Sequence, residues 1–358
     1  MIDIRENVPL APLTTLDVGG PARFFVSVTD QNELLEAVGF AKEKGVPIFI
    51  LVGGSNVVVS DSGFPGLVIK MEMKGIETYF DGDDILVRAG AGESWDGLVG
   101  YCVAQGLSGL ECLSGIPGSV GAAPVQNIGA YGVSVGPFVD RLEVFDRNDN
   151  KIRTLPGHAC EFSYRDSMFK HSSGASLIIT NVTFRLKRSL LGAVLRYHDL
   201  QARFGDQAEA PIVDIRKAIL EIRAGKGMVI LQGYEAHKSA GSFFKNPVVA
   251  PEQFTYIEKA LMDHPDGVCA PPWFWIQNDG QVKVAAACLL EASGFHKGYR
   301  EGSVGISPKH ALAIINYGGA RASDIVALAE KIQQRALRKF GVRLEPEAQY
   351  IGFDLASH

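Results

Sequence analysis

Cysteine is scarce in this chain: five in 358 residues, at positions 102, 112, 160, 269 and 288, with no Cys-x-x-Cys pair. An odd, widely spaced set gives neither a disulfide framework nor a thiolate zinc site, so no metal centre is expected. Blocks of basic residues are also missing, and the formal net charge is -5. That argues against a nucleic-acid or anionic-membrane partner, and any bound anion must be met by local charges. No apolar run reaches the roughly 20 residues of a membrane-spanning helix. Met1–Glu6 shows no basic stretch followed by an apolar core, so no signal peptide is read there. A cytoplasmic protein with reduced thiols is expected.

What is present is an ordinary globular composition, 46% hydrophobic and 21% charged, in a chain too long for one core. Asp30 followed by Leu34, Leu35 and Val38 at helical spacing, with Gly45 and Pro47 beyond, predicts a helix over 31–44. Strand character marks 46–52, 57–59, 85–89, 139–146, 176–186 and 311–317. Further helices are predicted at 95–105, 211–224, 252–262, 282–293 and 321–340, and residues 187–210 read as loop. Gly53-Gly54-Ser55-Asn56 sits between two strands with no helix directly after it, which disfavours a Rossmann site. The mixture points to α+β domains rather than a doubly wound sheet.

Several segments suggest chemistry. Ser239-Ala240-Gly241-Ser242-Phe243-Phe244-Lys245-Asn246-Pro247 sets a hydroxyl, an ammonium and an amide beside two large aromatic residues. Such a stretch reads either as a polar cluster held against an apolar pocket wall or as a turn with buried aromatics beside it. Gly53–Asn56 and Ile116–Ala123 expose backbone amides that a diphosphate can approach; either one alone reads more readily as a tight turn. Together with Gln126–Gly132 they look like two walls of a dinucleotide cleft. Arg165, in Tyr164-Arg165-Asp166-Ser167, can grip a carboxylate or belong to a surface turn. Lys226 at a helix end and Leu344-Glu345-Pro346-Glu347 carry the same two options, site or solvated surface.

These motifs, with Thr14-Thr15 and Gly19-Gly20 before them, occur in one order along nearly the whole chain. That order resembles the UDP-N-acetylenolpyruvoylglucosamine reductase (MurB) family, in its longer subtype. The resemblance implies an FAD-binding fold of the vanillyl-alcohol-oxidase (PCMH) type in two subdomains plus a C-terminal α/β substrate-binding domain. Laid onto this sequence, residues 1–75 with 343–358 form the first subdomain, 76–231 the second and 232–342 the substrate domain. It implies FAD as cofactor, NADPH as hydride-donating co-substrate, and a UDP-sugar enolpyruvyl ether as substrate; a monomer is expected.

By the same resemblance Ser242 is the proton donor, and Arg165 and Glu347 stabilise an enolate-like intermediate. Gly53, Gly54, Ser55, Asn56, Gly118, Ser119, Gly121, Ala122 and Ala123 contact FAD. Tyr197, in Leu195-Arg196-Tyr197-His198, caps the substrate, and Lys226, Asn246 and Lys283 meet its diphosphate. Three positions depart from the family pattern: Val52 stands where a glycine is usual, Gly227-Met228 replace a Leu-Pro pair, and Trp275 takes the place of a tyrosine contact. The rival readings are a flavin oxidase or dehydrogenase of the same fold with another carboxylated or sugar substrate, and a non-catalytic nucleotide-sugar-binding protein.

Overall fold

The computed structural model describes residues 2–193, 197–230, 238–262, 269 and 271–353. The chain divides into two compact units: Met1–Val8, Ala22–Gly54 and Phe64–Ala236 make the first, and Pro9–Pro21, Ser55–Gly63 and His237–His358 the second. This differs from the three segments expected. Strand Val57–Val59 pairs in parallel with Gln349–Ile351, and this ladder ties 55–63 to the second unit. The expected boundary at 231/232 lies outside the described residues.

Among the described residues the first unit contains two two-stranded pairs, Gly129–Ala130 with Val133–Ser134 and Leu191–Ala193 with Glu209–Pro211, and two large sheets. In one, the strands run in the order Arg5–Pro9, Pro21–Val28, Phe64–Met71 and Ile48–Leu51, and the last three pair in parallel. Helix α1 (Gln31–Lys44) crosses between strands of that sheet. Asp30 accepts from the amides of Asn32 and Glu33, Gly45 ends the helix at φ 62°, and Leu34, Ala37, Val38 and Ala41 face the core. These are the start, stop and stripe that the sequence announced. The other sheet is antiparallel, in the order Lys151–Pro156, Val139–Asp146, Leu177–Arg188, Asp84–Gly90 and Ile76–Asp81. Helix α2 (Trp95–Ala104) buries Trp95, Leu98, Val99 and Cys102 in the same core. Residues 187–210 are not all loop: a short helix, α3 (His198–Phe204), precedes α4 (Ile212–Gly225).

The second unit carries helices α5 (Pro251–Met262), α6 (Ala286–Ala292) and α7 (Ala322–Phe340). The single helix expected at 282–293 is instead the strand Val282–Val284 followed by α6. Val282 and Val284 are buried on either side of the half-exposed Lys283, a period of two. The strand pairs on both sides, with Val248–Val249 and with Phe274–Ile276. A second small sheet joins Arg300–Glu301, Val304–Ile306 and Ile314–Asn316. Phe243, Phe244, Leu289, Leu290, Phe295, Ile325 and Phe340 are among the buried side chains of this unit's core.

Candidate active site

In the first unit the two glycine turns meet. A Cβ placed on Gly53 would lie 2.5 Å from Gly118 Cα and 3.2 Å from Ser119 N, so only glycine permits this approach. Gly54 and Gly118 take φ of 59° and 124°, a region that glycine alone enters without strain. Gly121 packs as tightly on Ala91, where a Cβ would come within 2.6 Å of the alanine methyl. Ala122 and Ala123 follow, their amides donating to Ser119 O at 3.1 and 3.2 Å. Ser119 Oγ is buried with no hydrogen-bond partner. An orphaned hydroxyl of this kind costs about 1–3 kcal/mol, which a polar ligand can return. Bare backbone beside an unsatisfied buried hydroxyl fits a cofactor diphosphate.

Arg165 sits on a turn closed by Ser163 N to Asp166 O at 3.1 Å. Its φ is 55°, a left-handed conformation that an arginine adopts only when its surroundings impose it. They do. Asn127 Nδ2 donates to Ser163 O at 2.7 Å, Ser167 Oγ to Val125 O at 2.5 Å, and Lys170 Nζ to Arg165 O at 3.0 Å. The guanidinium in turn donates to Gly129 O at 2.8 Å.

A second guanidinium, Arg223, is buried at the end of α4 and donates to Gly115 O at 3.1 Å. Burial pushes its pKa down, and the charge of Arg165 adds to that, while Tyr131 opposes both. Two cations in one buried region favour an anionic guest. Tyr131 bonds to Arg223, its phenol is pushed up to about 12 chiefly by burial, and its ring lies 5.3 Å from that of Tyr197.

Lys226 Nζ is paired with Asp199 Oδ2 at 2.5 Å. It is the last residue before Gly227, whose φ of 66° ends α4. Gly227 N donates to Ala224 O and Met228 N to Arg223 O, so the departure at Gly227-Met228 serves as a helix stop. Leu195 and Arg196, which precede Tyr197, lie outside the described residues.

In the second unit, the segments that carry Ser242 and Glu347 pair along their backbones although they are far apart in sequence. Glu347 N donates to Phe243 O at 2.8 Å, and Lys245 N to Glu345 O at 2.9 Å. Lys245 Nζ also pairs with Glu345 at 3.3 Å, which gives that lysine a part in joining the strands. Phe243 and Phe244 are fully buried with ring centres 5.3 Å apart, the apolar wall read from the sequence. Asn56 Nδ2 donates to Glu347 O at 3.0 Å, and Gln349 N to Asn56 O at 2.9 Å, fixing the glutamate backbone from a third segment.

Asn246 Oδ1 accepts from Ala286 N at 2.9 Å and so caps α6. Lys283 and Trp275 stand opposite each other across two strands, the ammonium 5.3 Å from the indole centre. Ser242 Oγ lies 3.0 Å from His310 Nε2. Sequence reasoning missed His310 and Asp199, took Tyr131 only as part of the Gln126–Gly132 wall, and passed over Arg223 as a flanking residue.

Residues 232–351 match the family profile described as UDP-N-acetylenolpyruvoylglucosamine reductase, C-terminal domain, and 22–155 match an FAD binding domain. A UDP-N-acetylenolpyruvoylglucosamine reductase of Thermobifida fusca is 42% identical over 354 residues, 98% of each chain. The chain belongs to the UDP-N-acetylenolpyruvoylglucosamine reductase family. The reductase of Pseudomonas aeruginosa is 39% identical, covering 97% of this chain and 98% of its own. The crystal structure of the Thermus caldophilus reductase superposes with a TM-score of 0.65 at 26% identity, covering 98% of this chain and 99% of that one. The expected FAD-binding fold and FAD cofactor are borne out. Among the described residues no helix is long and apolar enough to cross a membrane.

Proposed function

We propose that this reductase converts the enolpyruvyl ether of UDP-N-acetylenolpyruvoylglucosamine to UDP-N-acetylmuramate, with NADPH as the hydride-supplying co-substrate. The observation that carries the reading is membership of this reductase family, with the pairing of Phe243–Lys245 with Glu345–Glu347 bringing the segments that hold Ser242 and Glu347 next to each other. Bound FAD supplies the hydride that goes to the terminal alkene carbon. The residues of the chain manage the charge this leaves behind.

Negative charge accumulates on the inner carbon and its carboxylate. Arg165, held rigidly by its turn and reinforced by Arg223, pairs with the carboxylate; a preorganised contact of this sort contributes about 3–4 kcal/mol. Glu347 assists from a protonated form or through a hydrogen bond, since a bare carboxylate would repel the intermediate. Ser242 passes its hydroxyl proton to the inner carbon, a step of the kind that contributes about 10²–10⁴-fold. Gly53, Gly54, Ser55, Asn56, Gly118, Ser119, Gly121, Ala122 and Ala123 hold the cofactor. Tyr197 covers the substrate, and Lys226, Asn246, Lys283 and Trp275 grip its UDP portion. Lys226 exchanges Asp199 for phosphate, Asn246 offers its amide nitrogen while its oxygen caps α6, and Trp275 orients Lys283.

We place the enzyme in the cytoplasm as a monomer. Purified protein is expected to be yellow and to oxidise NADPH beyond the one equivalent that reduces its flavin only when the enolpyruvyl nucleotide is added. A colourless preparation, or NADPH oxidation that depends on oxygen alone, counts against the reading and in favour of a binding protein or an oxidase.

A further inference from the structure

Ser242 is held by more than its own loop. Phe243 N donates to Leu312 O at 2.8 Å and Asn316 N to Lys238 O at 2.9 Å, while Ser239 and Ile315 form an antiparallel bridge. Segment 238–243 therefore runs along 312–316, and His310 enters just before that pairing begins. The backbone of His310 is fixed as well: its carbonyl accepts from Ala313 N at 3.1 Å, and Lys309 N donates to Ser307 Oγ at 3.1 Å. The 3.0 Å separation of Ser242 Oγ and His310 Nε2 is thus set by main-chain pairing rather than by two loose side chains.

We propose that His310 is a positioning residue for the proton donor: its Nε2–H donates to Ser242 Oγ and leaves the hydroxyl proton aimed at the substrate carbon. The inference rests on the reading of Ser242 as the acid. A hydroxyl has one proton and two lone pairs. Were Ser242 to donate to His310, no proton would remain for the carbon. In the opposite sense the imidazole occupies a lone pair, locks the hydroxyl rotor and leaves the O–H directed away.

The same bond strengthens during the reaction. As the O–H bond breaks and the C–H bond forms, negative charge grows on Oγ, and a hydrogen bond to an ionised acceptor is about twice as strong as a neutral one. The inner carbon gains the serine proton, Oγ regains a proton from water, and the imidazole keeps its own Nε2–H throughout.

The test compares His310→Leu, His310→Gln and Ser242→Ala in the FAD-loaded enzyme. Rapid mixing with NADPH alone reads flavin reduction, mixing reduced enzyme with the enolpyruvyl nucleotide reads reoxidation, and calorimetry reads nucleotide binding. His310→Leu is expected to slow reoxidation about 10–100-fold while flavin reduction and nucleotide affinity stay within about threefold. His310→Gln, whose amide N–H can reach Oγ, is expected to recover most of that loss. A His310→Leu enzyme that reoxidises at the wild-type rate overturns the proposal. So does an equal loss in all three measurements, which marks a purely structural role. A Ser242→Ala enzyme at the wild-type rate overturns the acid assignment itself, and is distinguishable because it fails with His310 intact.

Discussion

In the first unit Arg165 is placed by a left-handed backbone and a web of side-chain hydrogen bonds around it. In the second, Ser242 and Glu347 are placed by main-chain pairing between motifs that lie about a hundred residues apart, the separation of Lys245 and Glu345. Backbone pairing survives replacement of the side chains it positions, because the bonds belong to amides and carbonyls. A side-chain web does not. Variants in the second unit should therefore report chemistry nearly alone, and variants in the first should mix chemistry with stability.

The largest effect that can break this contrast is at Ser242. Ser242→Ala should cost about 10²–10⁴ in kcat with FAD content and melting temperature unchanged; turnover within about threefold of wild type would remove it from the mechanism. Arg165→Ala should lose about 3–4 kcal/mol of transition-state stabilisation, read from kcat/KM. Here the contrast sharpens: Arg165→Gly should lose as much activity yet unfold at higher denaturant than Arg165→Ala, since glycine accepts φ 55° without strain. Equal midpoints for the two would mean that the turn is not strained.

Gly53→Ala places a methyl 2.5 Å from Gly118 Cα and should cost about 1–3 kcal/mol, visible as lowered FAD retention on dilution. Unchanged retention would show the turns to be mere connections. The smallest effect is expected from Asp96, which accepts from Arg216 at 2.7 and 2.8 Å and from Gly115 N at 2.6 Å. Burial raises its pKa, but these bonds outweigh it and hold the carboxyl below the ordinary 3.8. The unfolded chain therefore takes up this proton first. The stability Asp96 contributes is present above about pH 4 and is lost as the pH falls through its folded value. Urea midpoints measured on the acid side should fall less steeply in Asp96→Asn than in wild type.

Elements with local signals were readable from sequence. Asp30, the apolar stripe and Gly45 fixed α1 to the residue, and Val139–Asp146 was read at its observed bounds. Val282–Val284 was taken into a helix because two valines beside an alanine run satisfy either period; the strand is decided by partners on both sides. The site divides in the same way. Ser242, Arg165 and Glu347 lie in dense local motifs. His310 stands between a Ser-Pro-Lys turn and a strand, with no pattern of its own, and only the pairing of 238–243 with 312–316 gives it a neighbour. Arg223 did leave a trace: it continues the buried series Ile212, Ile215 and Ile219 along α4, and a cation on an apolar stripe signals a buried polar partner.

The bond from Asn56 to Glu347, beside the parallel pairing of Val57–Val59 with Gln349–Ile351, spans 291 residues of chain. On the ribosome, at about 5–20 residues per second, a gap of that length amounts to roughly 15–60 s between emergence of the early strand and synthesis of its partner. For that time Val57, Val58 and Val59 wait without their strand mate. A stop codon or proteolytic cut anywhere ahead of Gln349 would leave the early strand without this partner, so the register of a strand laid down early is decided by a segment made some three hundred residues later.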